Sequence, residues 1–290
     1  MTTETGNVQW VITGASQGFG CALATEVLDR GGEVLAVVRD TEALADLAAI
    51  HGARLHVVTA DLRDQHDVAG VGEAIAATFG VPDVLVNNAG RAIVGSAEEV
   101  TMAGLREQLE LNFFACAALT RLVIPGMRQR GSGTIVQLSS QGGRISFPGV
   151  GAYSASKFAL EGWSEALAAE LDPFGVRVMI VEPSRFRTGF NTAHSLALTP
   201  ELEAYADVVG PVRADLAGAD GIQEGDPARA AAIIADLVAS EELPLRLPLG
   251  AEAVERISRS HRDGLAHVER LAGLARSADY PGSAPSRRAV

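Results

Sequence analysis

Lysine is almost missing from this chain. Among 24 basic residues only Lys157 is a lysine, and the rest are arginine. The surviving lysine marks either a site that needs a compact ammonium or a chance survival. Tyrosine is scarce too, with Tyr153, Tyr205 and Tyr280 only. The two cysteines, Cys21 and Cys116, sit in helix-like segments with no CxxC or Cys/His cluster around them. That excludes a disulfide framework and predicts two small buried residues in a reducing compartment. The six histidines form no HExxH and no zinc-type spacing, so no metal site is expected. No apolar run approaches ~18 residues, and no basic start with an apolar block opens the chain. The expectation is a cytoplasmic protein without a membrane segment. A net charge of −12 argues against a nucleic-acid or anionic-membrane surface.

What is present suits a globular protein. The chain has 290 residues, 47% apolar and 21% charged. A chain this long buries about 75% of its unfolded surface and needs no staple. Apolar strand-like runs fall at 8–13, 33–38, 54–59, 84–87, 134–138, 177–182 and 244–250. Helical patterns fall between them at 20–29, 41–50, 66–79, 101–130 and 153–172, with a last one at about 251–272. Nearly all-apolar strands separated by helices predict a doubly wound α/β fold: a Rossmann-like parallel sheet covered on both faces. Its ligand site belongs at the carboxyl ends of the strands. One catalytic domain over 1–275 is expected, with a substrate lid at about 189–225 and a disordered tail at 276–290.

The first strand runs into Thr13-Gly14-Ala15-Ser16-Gln17-Gly18-Phe19-Gly20. Glycines let a backbone approach a pyrophosphate, and a helix N-terminus offers free N–H groups. A tight βα turn without ligand has the same look. The run also matches G-x-S-x-G, a hydrolase elbow with Ser16 as nucleophile, although no preceding strands or oxyanion loop accompany it. After the second strand, Val38 stands where an acid would favour NAD, and Arg39 follows. An arginine there suits the 2′-phosphate of NADP, or else is a solvated loop charge.

Ser140 follows the fifth strand, and Tyr153 and Lys157 lie one helical turn apart on one face. A nearby ammonium favours tyrosinate and lowers a phenol's pKa. Tyr153 is thus the candidate proton donor to a carbonyl oxygen, tuned by Lys157, with Ser140 bonding the same oxygen. Alone, such a pair also reads as an ordinary surface contact.

Across about residues 8–250 the chain resembles the short-chain dehydrogenases/reductases. The motifs that carry this are TGASQGFG at 13–20, Asp61-Leu62, NNAG at 87–90, Asn112, Ser140, YSASK at 153–157 and EPSRFRT at 182–188, in order. The resemblance implies a catalytic tetrad of Asn112, Ser140, Tyr153 and Lys157. Asn112 would hold a water relaying protons to Lys157, and Lys157 would also bind the nicotinamide ribose. It implies a dinucleotide cradle of Gly14, Ser16, Gln17, Gly18, Phe19 and Gly20. Arg39 points to NADP(H), with NAD(H) as the alternative. Asp61 and Leu62 would meet the adenine, and Asn88 and Gly90 would line the cofactor. The Phe186 backbone and Thr188 would meet the carboxamide. Three positions depart from the family pattern: Ser184 and Ala115 replace glycines, and Gln17 stands where NADP enzymes often carry a basic residue.

The implied reaction is hydride transfer between NADP(H) and a small carbonyl or secondary alcohol, in a homodimer or homotetramer built on helices 101–130 and 153–172. The rival reading from another class is a dinucleotide-binding sensor or scaffold without turnover. For the substrate, Phe147, Phe190, Leu196, Leu198 and Tyr205 are candidates for an apolar wall. Arg144, Arg185, Arg187 and His194 are candidates for a polar group's partners, and lid packing or solvated charge explains each equally.

Overall fold

The computed structural model describes residues 8–283. In chain order the elements are β1 (Gln9–Thr13), α1 (Gly18–Asp29), β2 (Glu33–Val38), α2 (Ala45–His51), β3 (Leu55–Thr59), α3 (Gln65–Thr78), β4 (Val84–Asn87), β5 (Ala92–Val94), α4 (Met102–Leu109), α5 (Ala115–Arg130), β6 (Gly133–Leu138), α6 (Gly151–Leu171), β7 (Val176–Pro183), β8 (Leu196–Leu198), α7 (Ala206–Gly218), α8 (Pro227–Ala239), β9 (Arg246–Leu249) and α9 (Ala251–Arg276). Seven strands form one sheet in the order β3-β2-β1-β4-β6-β7-β9. All its pairings are parallel, with Ile12 beside Ala36 on one side and Val86 on the other. The chain winds outward from β1 one way and then from β4 the other. The switch point therefore opens between β1 and β4.

Side chains alternate between two cores, as period two requires. Trp10, Ile12, Val34, Ala36, Val84 and Val86 pack with α1 and α8. Val11, Leu35 and Leu85 pack with α3, α5 and α6 on the other face. Where helices stop, the expected chemistry stops them. Gly31, with φ +91°, closes α1. Its N–H reaches Leu28 and that of Gly32 reaches Val27, a glycine-closed C-terminus. Asp226 caps α8, accepting from the Ala228 and Arg229 N–H groups, with Pro227 in the first turn.

Four features differ from the sequence reading. The segment 189–225 contains β8 and α7, and β8 pairs in parallel with β5 to make a second, two-stranded sheet. The expected helix 101–130 is interrupted by a π-turn at Glu110–Phe114. The stretch Met102–Arg130 is long and apolar enough, by length and composition, to cross a membrane. Sequence reading missed this because polar residues punctuate it. In the fold it lies along the sheet, with Leu119, Val123 and Met127 buried there. Finally, α9 runs on to Arg276, and turns continue to Ser283. The rest of the expected disordered tail lies outside the described residues.

Candidate active site

The expected cofactor and tetrad residues follow the carboxyl ends of sheet strands or lie on helical segments facing those ends. The Gly-rich turn leaves β1 with Gly14 at φ +65° and Gly18 at φ +58°. A Cβ on Gly20 would stand 2.4 Å from the Gly14 carbonyl oxygen and 2.5 Å from Asn88 Nδ2. Only glycine lets α1 start this close to the turn. Asn88 holds the turn shut, donating from Nδ2 to the carbonyls of Thr13 (2.8 Å) and Gly14 (3.1 Å). Gln17 precedes α1 with no side-chain cap, and no acid occupies the first turn. The N–H groups at this helix start are thus open to an anion. Gln17 Nε2 instead reaches Ser195 Oγ at 3.2 Å, tying the turn to the segment 189–225. No hydrogen bond joins Ser16 to a histidine among the described residues, which leaves the hydrolase reading without a base.

Arg39, Asp61 and Leu62 border the same cavity as the Gly-rich turn. Arg39 meets the His194 ring nitrogen. Arg63, which sequence reading passed over, also lines this cavity and forks onto Asp61, with Nε 2.9 Å from Oδ1 and 3.1 Å from Oδ2. That hydrogen bonding holds the Asp61 carboxyl at about 2, against a smaller opposing effect of burial. The Asp61 carboxylate expected at the adenine is therefore already occupied by Arg63. A basic residue two positions after Asp61 was the available signal. Phe186 is buried and packs on Phe19, with ring centroids 4.9 Å apart. The Phe186 carbonyl accepts from the Thr188 N–H at 2.9 Å. Thr188 presses on Gly18, with its Cβ 2.8 Å from where a Gly18 Cβ would stand.

The second half of the site gathers on α6 and the end of β6. Ser140 Oγ accepts from the Gly142 N–H at 3.0 Å. A Cβ on Gly142 would lie 3.4 Å from that oxygen and 3.1 Å from the Tyr153 ring, so this glycine makes room for both. Burial pushes the Tyr153 phenol up to about 12, with the Ser140 hydroxyl pulling the other way. The expectation of a phenol lowered by Lys157 is corrected here. The Lys157 ammonium points at the Leu138 carbonyl, 2.7 Å away, and its Nζ lies 6.0 Å from the Tyr153 ring centroid. Lys157 is itself buried, which lowers its pKa, while Cys116 and Glu161 oppose that.

Asn112 sits in the π-turn, a distortion that recurs at functional sites. Its side chain is committed to three partners: the Arg91 N–H at 3.1 Å, the Arg91 carbonyl at 3.0 Å and Ser156 Oγ at 3.0 Å. Asn112 Oδ1 and Lys157 Nζ border one small space beside Gly90, 3.4 and 3.6 Å from where its Cβ would stand.

Next to Tyr153 and Ser140 lies a pocket walled by Val94, Phe147, Val150, Phe190, Leu196 and Leu216. Val94, Val150 and Leu216 fall inside the segments 91–96, 140–150 and 189–225 that the sequence places at the pocket, but they do not stand out there as individual residues. Of the expected wall, Leu198 is exposed, and Tyr205 turns away to donate to Glu98 Oε1 at 2.6 Å. The anticipated polar partners are spoken for. Arg144 bonds Glu182 (2.7 Å) and His261 (2.6 Å), and Arg185 pairs with Asp215 and Glu252. Arg187 donates to the Gln223 carbonyl at 2.6 Å, and His194 is on Arg39. This pocket and the Gly-rich cavity share Phe19, Asn88, Gly90, Thr188 and Phe190, so they form one continuous crevice.

Known proteins match this arrangement. The family model for the short chain dehydrogenases matches residues 9–198. An oxidoreductase of Botryotinia fuckeliana (strain B05.10) is 35% identical over 247 residues, covering 85% of this chain and 90% of the relative. The crystal structure of a short-chain dehydrogenase from Streptomyces avermitilis superimposes with a TM-score of 0.90 at 43% identity, covering 95% of this chain and 100% of that one. A metagenomic short-chain oxidoreductase in complex with NADP follows at a TM-score of 0.67 and 25% identity, covering 86% of this chain and 98% of its own. The chain belongs to the short-chain dehydrogenase family and is an oxidoreductase of that class.

Proposed function

We propose that this protein transfers hydride between NADP(H) and a neutral, largely apolar carbonyl or secondary alcohol, with Tyr153 as general acid and base. The observation that carries this reading is the continuous crevice. It sets an anion-ready helix start beside a buried phenol at the floor of an apolar pocket. A nicotinamide dinucleotide fits the residues present. The Cβ-free approach at Gly20 and the uncapped start of α1 suit its pyrophosphate, and Arg39 and Arg63 border the space at the end of β2. The metagenomic relative holds NADP in a matching fold. When bound, the nicotinamide supplies or takes up the hydride.

The chain's own residues do the rest. With its phenol held near 12, Tyr153 keeps its proton at neutral pH and is ready to donate it to a carbonyl oxygen. Ser140 donates a hydrogen bond to the same oxygen and orients it. Lys157, fixed on Leu138 with its ammonium 6.0 Å from the Tyr153 ring centroid, would hold the nicotinamide ribose. Through the space beside Gly90, shared with Asn112, a proton can return from solvent. The arginines around the apolar pocket are paired with carboxylates, which favours neutral substrates over keto acids. Phe114 of the π-turn, Leu122 of α5 and Phe158 of α6 lie about half exposed, on the face where a homo-oligomer would form.

The test is a fluorescence titration of the purified protein with NADPH and NADH. Tight NADPH and weak NADH binding is expected. NADH preference would remove Arg39 from its role, and binding of neither would overturn the reading.

A further inference from the structure

Tyr153, Lys157 and Glu161 recur every four residues along α6, so they share one face. Each of the three meets the end of β6. The Ser140 hydroxyl acts on Tyr153, and Lys157 donates to Leu138. Glu161 meets Ser139. A Cβ on Gly143 would stand 2.5 Å from Ser139 Oγ and 3.0 and 3.3 Å from Glu161 Cγ and Oε1. The missing Cβ is the space in which the two side chains face each other. Ser139 Oγ and Glu161 Oε1 are both buried and without a hydrogen-bond partner, and they border the same gap. The other carboxylate oxygen, Oε2, accepts from Arg246 Nε at 3.1 Å. Burying a carboxyl this deeply costs several kcal/mol, and an apolar residue would fill the position without that cost.

We propose that Glu161 is a positioning residue of the site. It is the buried counter-carboxylate that keeps Lys157 charged and, through Ser139, holds Ser140 in place. The inference rests on the reductase reading above. The surrounding charges are few and identifiable. Glu165 on α6 and Glu182 on β7 both approach Arg246 of β9, at 2.6 and 3.5 Å. Arg144 binds Glu182 and reaches His261 of α9. Cys116 of α5 lies beside Lys157, its thiol pushed up to about 11 by burial. Burial and Glu182 raise the Glu161 carboxyl, while Ser139 and Arg246 favour its ionised form. On Lys157 itself, Glu161 acts against the neutralising effect of burial.

The sequence makes the test direct. Because Lys157 is the sole lysine, labelling with ¹³C-lysine gives one side-chain NMR signal. Its titration is followed in the wild type, in Glu161→Gln and in Ser139→Ala, a second variant that removes only a hydroxyl. The Lys157 midpoint is expected at lower pH in Glu161→Gln, and by a smaller step in Ser139→Ala. In both variants, kcat for carbonyl reduction is expected to fall, about tenfold in Glu161→Gln, with KM held within about twofold. An unmoved midpoint would overturn the charge role, and an unmoved kcat would overturn the positioning role. The titration needs neither cofactor nor substrate. A wild type without turnover would therefore sink the reductase reading separately.

Discussion

At Tyr153, burial and the Ser140 hydroxyl pull in opposite directions, and burial wins, leaving the phenol near 12. The sign decides the pH behaviour. A phenol raised above its ordinary value of about 10 stays protonated through the neutral range. Reduction needs that proton and is expected to hold level from pH 6 to 9. Alcohol oxidation needs the tyrosinate and is expected to climb across the same interval. Steady-state profiles in both directions check this. The proposed acid stood out in the sequence as a candidate, because Tyr153 and Lys157 stand one turn apart behind Ser140. The direction of its pKa was not, since that depends on burial and on where the ammonium points. Gly20 was legible as part of a cradle, and the structure adds its mechanism. Gly20→Ala would drive a methyl into the Gly14 carbonyl. NADPH affinity is expected to fall at least tenfold, read by the same fluorescence titration. Arg39→Ala removes charge-assisted hydrogen bonds worth about 1.5–3 kcal/mol, so NADPH binding is expected to weaken about 10- to 100-fold with NADH binding unchanged.

The segment 189–225 owes its position to elements too short to announce themselves. Three-residue strands β5 and β8 carry no alternation that a sequence can show, yet their pairing brings Leu196 to the pocket. The π-turn is equally silent, because the helical apolar spacing runs through it. By contrast, the parallel strands were readable to within a residue or two, since sheets covered on both faces demand continuous apolar runs. The anchor of this segment is Glu99, which accepts from the Ser96 N–H (2.6 Å), the Leu202 N–H (2.8 Å) and Arg213 Nη2 (2.6 Å). These bonds hold its carboxyl at about 2. A carboxyl depressed in the folded state contributes stability above its unfolded value, near 4.3, and loses it as pH falls toward 2. Glu99→Gln is expected to loosen α7 and to speed limited proteolysis between 199 and 225. The wild type is expected to approach that rate as the pH falls below about 4.

For the molecule as a whole, two cores sandwich one sheet, and the crevice lies along a single edge of it. That plan follows from strand composition and was visible early. The proposed oligomer face shows in the sequence only as helices with apolar residues on too many sides. The fold sorts them: Leu160, Leu167 and Leu171 go inward, and Phe158 stays about half exposed, as does Phe114. Phe158→Glu is expected to leave thermal stability near that of the wild type while converting the oligomer to monomer. Light scattering after size exclusion reads the outcome, and an unchanged mass would remove this face from assembly.

The most direct test of the account is Tyr153→Phe. The substitution deletes one hydroxyl and keeps the ring against Phe190. Single-turnover oxidation of NADPH with a neutral aryl ketone is expected to slow by at least a thousandfold, with NADPH binding intact. Turnover within tenfold of the wild type would contradict the assignment of Tyr153 as the proton donor.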